Sequence, residues 1–306
     1  MGSQLRIGLI GWGTVASALG GLVDAGPLSV EVVMVAVRDR ERARTLPRGV
    51  GIGSATEVVE ANVDAVVELA GGIEGPLEWA RATLAHGRPY VTANKALLAN
   101  HGGELAELAS ERGAALLASA SVGGGTPMIE LVEHLAPRGI QRFRGLLNAT
   151  TTFVLSAMSQ GATYASALAA AQKAGYAEAD PSFDVEGRDA AQKLAILASV
   201  AWGRWRAERE VDARGIVGVD VQPGATARLV AEATEDAMSV APVELAADSA
   251  LARASGVEGV LEVDAGGAAY RVSGPGAGGG ATAGAVYADL GRLAAGERPI
   301  LVGRRW

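Results

Sequence analysis

The chain opens on an apolar run, Leu5 to Ile10, that breaks at Gly11-Trp12-Gly13 and gives way to a helical period from Thr14 to about Asp24. Further largely apolar runs stand at 31–37 (EVVMVAV), 63–70 (VDAVVELA) and 89–93 (PYVTA). Between and after them, GPLEWARATLAHG (75–87) and GGELAELASERG (102–113) carry helical patterns. Strands with no polar alternation, separated by helices, predict a parallel sheet covered on both faces. Later, LAILASVAW (194–202) is apolar nearly all round, the mark of a buried helix. GVLEV (259–263) and AAYRV (268–272) read as strands, and a glycine-rich run at 273–286 leads toward a last helix in YADLGRLAAGE. The expected organisation is an α/β domain over 1–130, rejoined by a returning helix in 283–306, and a second domain over 131–282.

Composition narrows the class. A chain of 306 residues, 49% hydrophobic, is long for one core and fits two domains. Net charge is −7 with no basic run, which disfavours nucleic acid and anionic membranes as partners. Apolar stretches are too short to span a bilayer, and the start of the chain enters a strand pattern with no room for a signal peptide. The expectation is a cytoplasmic protein. With no cysteine there are no disulfides, thiolate metal sites or cysteine nucleophiles, and His86, His101 and His134 show no ligand spacing. No metal site is expected.

Glycine, at 42 residues, is the unusual component, and its placement carries chemistry. GWGTVA after the first strand has the form of a dinucleotide-binding turn, with Ala16 in the third small position. Gly11 permits the turn, Gly13 lets backbone approach a pyrophosphate, and the following helix start supplies amide donors. The second strand ends in Arg38-Asp39-Arg40; Arg suits the 2′-phosphate of NADP, an acid the ribose of NAD, and a solvated turn fits as well. Arg38 comes first, which favours NADP and leaves NAD possible.

Lysine is scarce: Lys95, Lys173 and Lys193 stand against 24 arginines. Arginine stays protonated in proteins, whereas a partly buried lysine can exchange a proton. Lys193 follows Asp189 by four residues on the apolar helix, so the two do not form an ordinary surface pair. Lys95 lies just past a strand's carboxyl end, the ligand-binding edge of open α/β sheets. Lys173 sits in a polar helical stretch. Glu178, Asp180, Asp184, Glu186 and Asp189 crowd one short segment, suited to a ligand bearing an ammonium group or else merely a solvated acidic loop.

Together the stretches GWGTVA, VTANKALLANHG, SVGGGTPMIE, GLLNATTTFVL, AGYAEADPSFDVEGRDAAQKLAIL and SGPGAGGGATA resemble homoserine dehydrogenase along almost the whole chain. The resemblance implies an α/β architecture: a Rossmann-type nucleotide-binding domain plus a second, α+β domain for catalysis and homodimer formation. It implies reversible hydride transfer between NAD(P)H and L-aspartate 4-semialdehyde giving L-homoserine, in the aspartate pathway of amino-acid biosynthesis. By position, Glu178 and Asp189 would hold the substrate, with Tyr176, Thr150 and Asp184 lining its pocket. Lys193 would be the proton donor and acceptor, oriented by Asp189, and Lys95 would sit between nicotinamide and substrate. Gly11, Gly13, Thr14, Val15, Gly175, Gly276, Gly278 and Gly279 would touch the cofactor.

The chain departs from the family in places. Ser119 stands where members usually carry a glutamate that ligates a structural Na⁺ or K⁺, which puts that site in doubt. Ala149, Thr152 and Phe153 alter the motif around Thr150, and Ala281 replaces a proline. No regulatory domain is expected after Trp306. Two other readings fit part of the pattern: a paralogue reducing a related amino-acid ω-aldehyde, and a non-catalytic dinucleotide sensor.

Overall fold

The computed structural model describes residues 4–39, 46–47 and 49–302. Arg40 and the end of the expected returning segment, 303–306, lie outside the described residues. The chain divides into two compact units, one running to Gly125 and resuming at Gly278, the other Thr126–Ala277.

The first unit alternates strand and helix: β1 (Leu5–Ile10), α1 (Thr14–Ala25), β2 (Val30–Ala36), β3 (Gly51–Gly53), α2 (Ala55–Glu60), β4 (Ala65–Glu68), α3 (Glu74–Ala85), β5 (Tyr90–Thr92), α4 (Lys95–Arg112) and β6 (Leu116–Leu117). All neighbouring strands pair in parallel, in the order β3-β2-β1-β4-β5-β6. This is the doubly wound Rossmann order, in which the chain reverses direction between β1 and β4 and opens a crevice at the strands' carboxyl ends. Ile7, Leu9, Val67 and Val91 are fully buried in one cluster with Leu19 of α1. Burying each such side chain contributes roughly 1.5–3 kcal/mol.

In the second unit come α5 (Met128–Leu135), β7 (Ile140–Leu146), α6 (Ala149–Ser159), α7 (Tyr164–Lys173), α8 (Ser182–Val185), α9 (Arg188–Trp202), β8 (Asp212–Ala213), β9 (Ala227–Ala233), β10 (Met238–Glu244), α10 (Ala250–Arg253), β11 (Glu258–Ala265) and β12 (Ala268–Pro275). Its sheet, β12-β11-β7-β9-β10-β8, is antiparallel except for the short edge strand β8. The apolar helix expected from LAILASVAW is α9, and residues 194–201 are all buried. Phe143 of β7 stacks on its Trp202 at 5.6 Å. The neighbours Arg142 and Arg144 therefore point to the opposite, open face. The last helix, α11 (Gly279–Ala294), returns to the first unit.

Three boundaries differ from the sequence expectation. The glycine-rich run is not one turn: β12 continues to Pro275 and α11 begins at Gly279, before the expected 283. Antiparallel pairing of β12 with β11 keeps Ser273 and Gly274 in register with Val260 and Gly259, which overrides the low strand propensity of glycine. The helix expected at 102–113 begins at Lys95, because Asn94 caps it by accepting from the Leu97 amide at 3.1 Å. Gly102 and Gly103 lie inside it, where Gly102 is buried.

Candidate active site

In the first unit the crevice forms where β1 hands over to α1. Gly11 has φ +97°, and a Cβ there would stand 2.8 Å from Ala70 N and Leu69 C, so the turn's backbone lies directly on the end of β4. Gly13 differs: it is extended, caps α1 with no side-chain bond, and a Cβ on it would meet nothing within 4 Å. The chain itself gives no reason for glycine at 13. An uncapped helix start beside open space has the amide donors and the clearance that a pyrophosphate needs. Thr14 is exposed at this start, while Val15 leans on the core. The nucleotide-binding residues expected here thus fit a dinucleotide.

Two of the glycines expected to touch cofactor have reasons internal to their own unit. A Cβ at Gly279 would lie 2.6 Å from Thr14 Cγ2, and one at Gly276 would lie 2.8 Å from Val257 O. Gly278 and Gly175 have positive φ and open space around them. Arg38 is exposed just past β2.

Sequence reasoning missed Glu68, the last residue of β4, which is completely buried. Its Oε1 accepts from the amides of Ala70 and Gly71 at 2.8 Å each, and its Oε2 from the Thr92 hydroxyl at 2.8 Å. Thr92 in turn accepts from the Asn94 amide at 3.0 Å, and the Asn94 side chain donates to Gly72 O at 2.7 Å. The loops after β4 and β5 are thereby tied together beside Lys95, the first residue of α4. Burial, and then the Glu68 charge, hold the Tyr90 hydroxyl well above its usual pKa. The available signal was the lone acid in the apolar run VVELA.

The second unit gathers the start of α6, α8 and the first turns of α9. Lys193 Nζ donates to Asp189 Oδ2 and to the Leu147 carbonyl, both at 2.8 Å, with side-chain exposures of 15% and 4% for the ion pair. An ammonium has three hydrogens, and these two bonds use two of them. Asp189 stands in the first turn of α9, where the helix dipole favours negative charge. Thr150 Oγ1 lies 2.8 Å from Asp184 Oδ2 and 2.7 Å from the Tyr176 carbonyl, so its single proton serves two acceptors. The Tyr176 ring packs on Phe153 at 5.2 Å and is 42% exposed.

Of the expected substrate residues, Thr150, Asp184, Asp189 and Lys193 meet in one cluster. Glu178 is exposed, and among the described residues no hydrogen bond or ion pair ties its carboxylate to them. Asp180 is exposed, its carboxyl held below the usual range by hydrogen bonds from Ser182. A second missed residue sits at the centre: Asn148 Nδ2 donates to Asp184 Oδ1 at 2.7 Å and to Asp189 Oδ2 at 2.8 Å. Ala149 starts α6 in helical backbone, where alanine costs nothing in place of glycine.

Ser119, buried in the first unit, donates from its hydroxyl to Asp289 Oδ1 at 2.6 Å and from its amide to Oδ2 at 3.1 Å. Among the described residues no group of three or more His, Asp or Glu is set to hold a metal, and no helix is long and apolar enough to cross a membrane.

A doubly wound sheet with an uncapped helix start, and a mostly buried lysine–aspartate pair in the second unit, suit an NAD(P)-dependent oxidoreductase acting on a CH–OH group. Comparison with known proteins narrows the class. Residues 11–118 match the family model described as homoserine dehydrogenase, NAD binding domain, and 127–290 that of homoserine dehydrogenase. The chain belongs to the homoserine dehydrogenase family. It is 40% identical to the Synechocystis homoserine dehydrogenase over 94% of this chain and 72% of the relative, and 33% identical to that of Helicobacter pylori over 99% and 77%. Among solved structures it is similar to the Thiobacillus denitrificans homoserine dehydrogenase, with TM-score 0.90, 32% identity, and 95% and 73% of the two chains covered. It is also similar to a hyperthermophilic archaeal homoserine dehydrogenase in complex with NADPH, with TM-score 0.85, 27% identity, and 97% and 99% covered. These relatives favour neither the paralogous reductase nor the sensor.

Proposed function

We propose that Lys193 carries the proton in the reversible conversion of L-aspartate 4-semialdehyde to L-homoserine, with Asp189 orienting it. The observation that carries this reading is the Lys193 ammonium fixed at 2.8 Å from both Asp189 and the Leu147 carbonyl, mostly out of water. A bound reduced nicotinamide supplies the hydride that the carbonyl carbon receives. Lys193 gives a proton to the aldehyde oxygen as charge develops there, and in the reverse direction takes it from the alcohol. Asp189 offsets the desolvation of the ammonium. Asp184 and Glu178 are assigned to the substrate's own ammonium, Thr150 and Tyr176 to the pocket wall, and Lys95 is the second lysine assigned to chemistry. The test is NADPH oxidation with L-aspartate 4-semialdehyde beside two other aldehydes. Turnover confined to the semialdehyde is expected; faster turnover of another aldehyde contradicts the substrate assignment.

The first unit is assigned to the cofactor through Gly11, Gly13, Thr14, Val15 and Gly278, and the preference to NADP through Arg38. Arg38→Ala should raise KM for NADP far more than for NAD, and equal effects would reduce Arg38 to a solvated turn residue.

A cytoplasmic homodimer is inferred, paired through the second unit's open sheet face. That face interleaves Arg142 and Arg144 with Glu232 and Asp264 in ion pairs of 3.0–3.7 Å, opposite charges that a two-fold axis can match. Light scattering should give twice the chain mass at micromolar protein; the single-chain mass would overturn this.

Activity should be nearly indifferent to Na⁺ and K⁺, because Ser119 has no carboxylate and its hydroxyl is committed to Asp289. A strong, saturable cation dependence in the assay would contradict this.

A further inference from the structure

We propose that Asn148 is a positioning residue for the proton transfer, setting how firmly Asp189 holds the proton of Lys193. The inference rests on the assignment of Lys193 as the acid–base group and deepens it. Asn148 does two jobs with one side chain. Its Oδ1 accepts from the Thr151 amide at 2.8 Å and so caps α6. Its Nδ2 is a neutral two-hydrogen fork that spends one bond on Asp184 Oδ1, at 2.7 Å, and the other on Asp189 Oδ2, at 2.8 Å.

The second bond falls on the same oxygen that accepts from Lys193 Nζ. A carboxylate oxygen that already takes an amide hydrogen has less negative charge to offer a second donor. Asn148 therefore weakens the grip of Asp189 on the ammonium, while the carboxylate still orients it. The first bond matters for the same reason. Asp184 and Asp189 are like charges on neighbouring elements, α8 and α9, and Asn148 places a neutral donor between them. Thr150 completes the arrangement from α6 by serving the other oxygen of Asp184. Among the described residues, Asn148 bonds the charged Asp184 and Asp189, and Asp189 in turn bonds Lys193. Aspartate at 148 would keep the cap and remove both donors, and would set a third carboxylate among them. Serine would keep the cap and remove the fork without adding charge.

The experiment follows kcat for homoserine oxidation against pH in the wild type, Asn148→Asp and Asn148→Ser, with Tm measured for each. In this direction the lysine must be neutral to accept the proton, so activity is lost on the acid side. Asn148→Asp should move that acid limb up by about one pH unit or more, since added negative charge holds the lysine's proton to higher pH. Asn148→Ser should move it the same way by less and keep Tm close to wild type because serine still caps α6, whereas Asn148→Asp should also lower Tm because it buries a third carboxylate beside Asp184 and Asp189. If the limb stays in place in both variants, whatever happens to Tm, Asn148 is only a helix cap and the inference is overturned. Lys193→Arg in the same assay separates the two failures. If it retains turnover, the assignment of Lys193 has failed; if it loses turnover while the limb stays fixed in the Asn148 variants, only the present inference has.

Discussion

Lys193→Arg should lower kcat by on the order of 10²–10⁴ while cofactor KM and Tm stay near wild type. Arginine keeps the positive charge and nearly the reach, so an ion pair with Asp189 can persist and the start of α9 stays neutralised. What it loses is proton exchange near neutral pH, since a guanidinium does not give up its proton in a protein. The pH profile of kcat should lose one limb as well. A purely structural Lys193 behaves in the opposite way, with arginine preserving turnover; alanine does not separate the two readings, since removing the ammonium beside a buried Asp189 costs up to about 3–5 kcal/mol on either. Near-normal kcat in the arginine variant would shift the proton to Lys95.

The second large effect is expected at the first turn, where two glycines two residues apart should respond differently. Gly11→Ala puts a side chain on backbone at φ +97° and drives its Cβ to 2.8 Å from the backbone of Leu69 and Ala70. Left-handed backbone costs about 1–2 kcal/mol and overpacking about 1–3 kcal/mol, so stability should fall by roughly 2–5 kcal/mol. Tm should drop by roughly 5–15 °C, and KM for NADPH should rise at least about tenfold. Gly13→Ala meets neither obstacle, being extended with open space beside it. Its Tm should hold, and the same rise in cofactor KM should appear alone. Unchanged cofactor KM in Gly13→Ala would mean that the open space beside residue 13 does not take the pyrophosphate.

The parts of the fold that could be read from sequence were those whose burial leaves a one-dimensional trace. β1, β2 and β4 are largely apolar runs because a parallel sheet is covered on both faces, and α9 beyond Lys193 is apolar nearly all round because it is enclosed. β3 and β6 left no such trace, having three and two residues, and α2 has only six. Such elements form because neighbours offer ladder partners, or, for α2, because Ser54 and Glu57 close a capping box. The i,i+4 spacing of Asp189 and Lys193 was readable within one helix. Asn148 lies 41 residues from Asp189 and Glu68 lies 24 from Thr92, so those partnerships exist only after the sheets are assembled. Ser119 is the extreme case, since its partner Asp289 is 170 residues away on the returning helix α11. The glycines at 276 and 279 have close approaches within their own units, which sequence cannot distinguish from close approach to a cofactor.

The claim that Lys193 moves the proton is tested most directly by chemical rescue of Lys193→Ala, with far-UV circular dichroism and NADPH binding confirming an intact fold. Added methylamine should restore kcat in proportion to its concentration, and a series of small amines should restore it according to their basicity, with cofactor KM unchanged throughout. A Lys193→Ala enzyme that turns over at close to the wild-type rate without any amine would contradict the account.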